Sequence, residues 1–322
     1  MPALLVGNCW NWGNQEQQMD GTTNEIKREI ESNNALLRVF LVSEGKVREM
    51  EIEEYLVGVV AAEMPSSFHI EALKAQAVIA RTYALEKRRE TGGSGCKNHP
   101  GIDLCTDSSC CQAWEDINFS LAKWPAKEGP IYLQRVKEAV SATHNMVITY
   151  EGKPIEAVYH STCGGTTEAA EAVWSGNKSA AYLKSVECSF CRHSPYFKKE
   201  IPMGLSTYAA ALKNQEGILP VLGEGNIPLL EVKKRSSSGR NLLLSVGNSG
   251  RIYSGMEVRT LLGLPSTFFR WRTENDKIIF TTRGHGHGVG LCQYGADGMG
   301  REGRDYKEIL QYYYQGIKIE KW

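Results

Sequence analysis

Four cysteines and a histidine fall within one short segment: Cys96, His99, Cys105, Cys110 and Cys111, inside a Gly92–Gln112 stretch dense in Gly, Ser and Asp. So polar a segment cannot order itself by burial, and a loop this long inside a compact domain needs something else to hold it. Clustered thiols with an interleaved imidazole suit tetrahedral Zn²⁺. Cys110 and Cys111 cannot easily bond to each other, but both can point at one ion where the backbone bends. Four protein ligands leave no position for water, so such an ion is structural and a zinc hydrolase here is disfavoured. One or two disulfides are the alternative. Cys163, Cys188, Cys191 and Cys292 form a second group, leaving Cys9 alone. The Cys188-x-x-Cys191 spacing serves zinc knuckles and redox pairs alike, and disulfides or free buried thiols stay open for this group.

The chain has 322 residues, which favours two domains or one large domain with an insertion. Lys plus Arg and Asp plus Glu both number 37. A protein that holds nucleic acid mainly by charge is basic, so that class is excluded and a neutral, sugar-like substrate fits better. No run approaches the roughly 20 apolar residues of a membrane span. The apolar head Met1–Gly7 is far too short and by itself reads as a frayed terminus.

Periodicity predicts an α+β chain: a β-rich core with helices packed around a substrate cleft, plus an inserted smaller α/β lobe. Residues 1–35 read as a polar leader, 36–193 and 277–322 as the core, and 194–276 as the lobe. Strands are expected at Leu36–Val42 and Val47–Ile52, then a helix carrying Tyr55, Leu56, Val59 and Val60 that stops before Pro65. A second helix, about Ile70–Arg89, places Leu73, Ala77, Ala80 and Ala84 on one side. Helix Arg135–Thr143 precedes a hairpin of Val147–Tyr150 with Ile155–Tyr159. In the lobe, a helix is expected at Ser206–Lys213 and strands at Leu230–Lys234 and Leu242–Val246. Ser254 and Glu257 stand at capping-box spacing before another helix. Strand Ile278–Thr281 and a helix through Ile309, Leu310 and Tyr313 complete the chain.

Glu63 is the first candidate for chemistry. A helix C-terminus and apolar neighbours both disfavour its charge, raising its pKa toward that of a general acid; a solvated helix-end Glu is the alternative. In Gly284-His285-Gly286-His287-Gly288, alternating glycines mark close backbone approach to another segment or to a ligand, and a strand-to-turn packing motif is equally consistent. Ser161, Asp107 and a His make a hydrolase triad only on paper, since no nucleophile elbow surrounds them.

Taken together, Ala61-Ala62-Glu63-Met64-Pro65, Glu71–Ala77, Ala80–Ala84, His160–Glu168, Tyr182–Val186, Arg259–Leu264 and Gly286–Ala296 resemble the stage II sporulation protein D family. The resemblance runs over about residues 38–318, with the matches in the family's order. It implies lytic transglycosylase activity on bacterial cell wall: cleavage between N-acetylmuramic acid and N-acetylglucosamine of peptide-stripped strands, during sporulation and engulfment. The muramic 6-hydroxyl attacks its own C1, giving a 1,6-anhydro product. The family's catalytic Glu falls on Glu63 and its Arg on Arg81, which would hold substrate or orient Glu63. The same motifs imply substrate contacts at Lys74, Gln76, Tyr83, Ser161, Gly164, Thr167, Tyr182, His287 and Gln293. Some clostridial-type members carry structural zinc, and His99, Cys105, Cys110 and Cys111 fall on that pattern. Cys110 stands where a His can stand in relatives, and Cys163 and Cys292 where many have Ser. Partners implied are peptidoglycan glycan strands, a peptidoglycan amidase and membrane partners, with no nucleic acid. The resemblance also implies an extracytoplasmic, wall-facing protein, its apolar head being the remnant of an N-terminal membrane helix. Some relatives are described as modifiers of an amidase, which makes a non-catalytic wall-binding module the competing expectation.

Overall fold

The computed structural model describes residues 35–174, 181–213, 222–223, 227–228, 230–247 and 251–322. The leader and Cys9 lie outside them, apart from Ala35, which is buried. The architecture is mixed α+β with several small sheets. Strand Leu36–Leu41 buries Leu37, Val39 and Leu41 and pairs antiparallel with Lys46–Glu51. Its other edge receives Leu104–Cys105 in parallel, so the Cys-rich stretch is tied into this sheet instead of being a free loop.

Helix Ile52–Glu63 follows directly, with Ile52, Tyr55, Leu56, Val59 and Val60 buried. It ends because Met64 adopts extended backbone ahead of Pro65. The next helix, Ile70–Lys87, buries thirteen of its eighteen residues, on every side. Ala72, Ala75, Ala77, Ala80 and Ala84 let neighbours approach its backbone closely, and helices Gly129–Ala142, Gln293–Arg301 and Tyr306–Tyr313 and strand Met146–Tyr150 pack around it. The expected mixed α+β character holds; within the main core a helix buried all round lies against several small sheets, whose Leu37, Val39, Val147 and Ile148 share that core. An Ala-rich helix shows no amphipathic period when it is covered all round.

The hairpin is shorter than the pattern suggests. In the hairpin, Met146–Tyr150 meets just Lys153–Pro154 across Glu151 and Gly152, both at positive φ, while its other edge pairs with Lys318–Lys321. Tyr159–His160 instead pairs in parallel with Leu291–Cys292. A second hydrophobic cluster includes Tyr208, Leu244, Val258, Phe269 and Phe280. Two three-stranded sheets, helix Leu205–Lys213 and helix Gly255–Leu261 surround it, and Ser254 and Glu257 form the expected capping box. Strand Lys277–Thr282, read from sequence as part of the first body, is the middle strand of one of these sheets. Among the described residues no helix is long and apolar enough to cross a membrane.

Candidate active site and thiolate clusters

Glu63 is the last residue of helix Ile52–Glu63. The Ala113 amide donates to its Oε1 at 2.6 Å, and Tyr159 hydrogen-bonds its carboxyl from the other chain segment. Burial raises the Glu63 pKa above the ordinary carboxyl value, and these two hydrogen bonds pull it part of the way back. No carboxylate is among the groups that shift it. Gln293 Nε2 donates to the Glu63 carbonyl at 2.9 Å and to Gln76 Oε1 at 3.2 Å, fixing the helix end from the third side. The turn beyond is anchored by Arg135 on the Ser66 and Phe68 carbonyls and by Asp297 accepting from the His69 amide at 2.7 Å. Sequence reasoning missed Tyr159, Ala113 and Gln112, whose Oε1 accepts from the Tyr55 hydroxyl at 3.2 Å. The Ala113 contact goes through backbone, so no side-chain signal marks it.

Of the residues the family motifs single out, Gln76 and Gln293 stand beside Glu63, as just described. Arg81 does not. Its Nε and Nη2 form a fork on Glu53 at 2.8 and 2.9 Å, and its remaining contacts are the Met146 and Val140 carbonyls at 3.2 and 3.3 Å. With its side chain 2% exposed and four of its five N–H groups bonded inside the core, Arg81 joins elements, and its hydrogen-bond partners do not include Glu63. Thr167 is corrected in the same way. It is fully buried, donating to the Val186 carbonyl at 3.4 Å and accepting from the Val186 amide at 2.8 Å. Gly164 is buried and pressed against the backbone of Arg283 and Gly284. Lys74 pairs with Glu71 at 2.7 Å, Tyr83 is nearly buried beneath the Lys87 ammonium, and the Tyr182 hydroxyl accepts from the Glu156 amide at 3.1 Å. Ser161 is half-buried, its hydroxyl 3.3 Å from that of Thr162.

The alternating-glycine motif is a packing device. Thr162 bridges His285, Glu168 bridges Val289, and a Cβ on Gly288 would lie within 2.8 Å of the buried Arg240 guanidinium. Burial holds the imidazoles of His160, His285 and His287 below their ordinary pKa, His287 down to about 4. They are neutral near pH 7 and offer hydrogen bonds, not cationic contacts, to a ligand. His287 accepts from the Val289 amide at 3.2 Å and hydrogen-bonds the Tyr159 backbone, so the motif's pull is on the strand that carries Glu63's partner.

The eight described cysteines are unbridged thiols. They gather into two groups of four, Cys96, Cys105, Cys110 and Cys111, and Cys163, Cys188, Cys191 and Cys292, each with its sulfurs within 4.8 Å of one another. Zn–S bonds of about 2.3 Å give a tetrahedron with edges of about 3.8 Å. In the first group Cys96–Cys110 is 3.6 Å and Cys110–Cys111 is 3.9 Å, so the donor set fits a divalent ion. The membership differs from the motif-derived set. Cys96 is in the group, while His99 lies at its rim with Nδ1 3.3 Å from Cys96 Sγ and its ring stacked 4.1 Å from Phe40. Residues that follow this cluster directly reach the site: Gln112 meets Tyr55 and Ala113 meets Glu63.

A half-buried carboxyl of raised pKa with neutral hydrogen-bond donors, backed by cross-tied backbone, is chemically able to give up and take back a proton. Comparison with known proteins gives the lineage. The stage II sporulation protein family profile matches residues 42–150. The chain is similar to stage II sporulation protein D of Bacillus subtilis (strain 168), 36% identical over 286 residues that span 88% of this chain and 78% of that protein. Its similarity to stage II sporulation protein D of Bacillus amyloliquefaciens has the same identity and coverage. It is also 25% identical over 310 residues to the amidase enhancer of Bacillus subtilis (strain 168), covering 83% of this chain and 40% of that protein. The chain belongs to the stage II sporulation protein D family.

Proposed function

We propose that this protein is a peptidoglycan lytic transglycosylase of the extracytoplasmic face, acting on peptide-stripped glycan strands during sporulation, with Glu63 as its one acid–base group. The observation that carries the reading is the Glu63 carboxyl: half-buried, raised in pKa by desolvation, and shifted by no other carboxylate. Protonated Glu63 gives its proton to the glycosidic oxygen as the bond from muramic C1 to the glucosamine oxygen breaks. The resulting carboxylate then takes the proton of the muramic 6-hydroxyl as that oxygen bonds to C1. Atoms balance with no water consumed, so the second carboxylate of hydrolytic glycosidases has no task here. Glu168, another acidic residue of the matched motifs, is buried and bound to Ser238 Oγ at 2.6 Å and the Ala169 amide at 3.0 Å.

The resemblance carries a structural zinc to the first thiolate cluster. Cys96, Cys105, Cys110 and Cys111 would hold it, with His99 able to replace one of them, and a filled tetrahedral shell supplies cross-linking rather than Lewis-acid chemistry. What the chain's own residues do there is position: a fixed Cys111 places Ala113 to donate to Glu63. The amidase-enhancer match supports a second reading, in which the chain binds glycan and stimulates an amidase without cutting. Incubating the purified chain alone with peptide-free strands separates them. Anhydro-ended fragments, found by mass spectrometry, are the expected result; binding without fragments, together with stimulation of an added amidase, would favour the second.

Tyr159→Phe probes the tuning of Glu63. The lost hydroxyl had been lowering the Glu63 pKa, so that pKa rises further. A general acid works only while protonated, so the alkaline limb of the pH–rate profile is expected to move to higher pH. An unmoved limb with a lower plateau would mean that Tyr159 only packs.

A further inference from the structure

We propose that Cys163, Cys188, Cys191 and Cys292 bind a single tetrahedral Zn²⁺ ion that clamps together three chain segments beside strand Tyr159–His160. This assignment is independent of the glycan-cleavage reading. All four cysteines are buried, and Cys163–Cys191 is 3.4 Å, near the edge of a zinc tetrathiolate. The surrounding hydrogen bonds separate a metal site from a plain cluster of packed thiols. The Cys163 and Gly295 amides both donate to Cys292 Sγ, at 3.2 and 3.3 Å, and the Gly165 amide donates to Cys163 Sγ at 3.4 Å. The Tyr313 hydroxyl lies 3.2 Å from Cys188 Sγ. Backbone donors aimed at sulfur are the outer shell of thiolate ligands, and buried thiolates require a cation.

The local backbone is built for this convergence. Cys292 is the N-cap of helix Gln293–Arg301, so the positive end of the helix faces its sulfur. A Cβ on Gly295 would lie 2.0 Å from the Tyr313 hydroxyl and 2.8 Å from Cys188 Sγ, so only glycine lets the helix close over the cluster. Arg240, buried in the core, donates from Nη2 to the Cys163 carbonyl at 2.7 Å and from Nη1 to the Thr166 carbonyl at 2.9 Å, placing a cation beside the thiolates' negative charge. Soft thiolates in tetrahedral array select zinc or iron, and a clamp needs no change of oxidation state, which favours zinc. The ion would join the loop after Tyr159–His160, the Cys188–Cys191 turn and the residue before Gln293, tying positions 129 residues apart.

Metal analysis and native mass spectrometry of the full chain, purified under reducing conditions, test the assignment. Two zinc ions per chain are expected, released together with eight thiols on titration with a mercurial, while Cys9 reacts without releasing metal. Cys191→Ser is expected to keep one ion. Because that variant can fail to fold, His99→Ala/Cys110→Ser in the half-exposed first cluster, which removes the spare ligand as well, serves as the reciprocal, and it too is expected to keep one ion. A zinc-free His99→Ala/Cys110→Ser chain, iron in place of zinc, or a disulfide among these four cysteines in the unreduced wild type would overturn the proposal.

Discussion

Glu63→Gln is expected to lower glycan cleavage at least about a hundredfold, the usual scale for loss of general acid–base catalysis, and at the same time to make the protein more stable. Gln keeps an acceptor for the Ala113 amide and a shape that fits the helix end, so glycan binding is expected to survive. The stability gain follows from the direction of the Glu63 shift. Its pKa is raised in the folded state by burial, so folding binds extra protons between the unfolded and folded values. The carboxyl's contribution is complete below the unfolded value and is lost as pH rises through the folded one. Gln never ionises, so the variant's advantage in thermal unfolding should be absent in acid, grow as pH rises from the ordinary carboxyl value toward the raised one, and be complete above it. Wild-type cleavage by the variant would remove Glu63 from the mechanism.

Arg81→Ala is expected to be the most destabilising single change near the site, and to act through folding alone. Breaking a buried ion pair costs about 3–5 kcal/mol; Glu53 keeps 28% of its side chain exposed, which lets water take part of the orphaned charge and puts the cost toward the lower end. Arg81→Lys should recover little, because the two-pronged contact and the Val140 and Met146 carbonyls need a guanidinium. Pairing Arg81→Met with Glu53→Gln should restore much of the loss, since neither charge is then left alone. Denaturant unfolding of the wild type, Arg81→Met, Glu53→Gln and the double variant gives the cycle, and cleavage per folded molecule should stay near wild type. A folded, stable Arg81→Ala protein that no longer cleaves would return Arg81 to the substrate.

What could be read from the chain itself was local. Strands Leu36–Leu41 and Lys46–Glu51, the stop of a helix at Glu63 ahead of Pro65, and the Ser254–Glu257 capping box depend on neighbours in sequence. The proposal of Glu63 as the acid rests on its helix-end position and its motif. Its partners did not, because Tyr159 sits on a two-residue strand whose pairing with Leu291–Cys292 has no periodicity to detect. Motifs assign Arg81 a role but not a neighbour, and the neighbour proves to be Glu53, in the first turn of the previous helix. Helix Ile70–Lys87 misled in a related way: its alanines showed a packing face, whereas in the fold every face is covered. Counting thiols found both clusters, Cys96 included, whereas the motif-derived ligand set left Cys96 out, and the fold sets His99 at the edge.

The central claim is that one carboxyl drives an internal displacement. Cleavage of peptide-free strands by the wild-type protein in ¹⁸O-labelled water, with products read by mass spectrometry, tests it most directly. The account predicts 1,6-anhydro ends with no label at muramic C1, because the attacking oxygen already belongs to the sugar. Reducing ends carrying ¹⁸O at C1 would contradict it and would demand a second carboxylate acting on water.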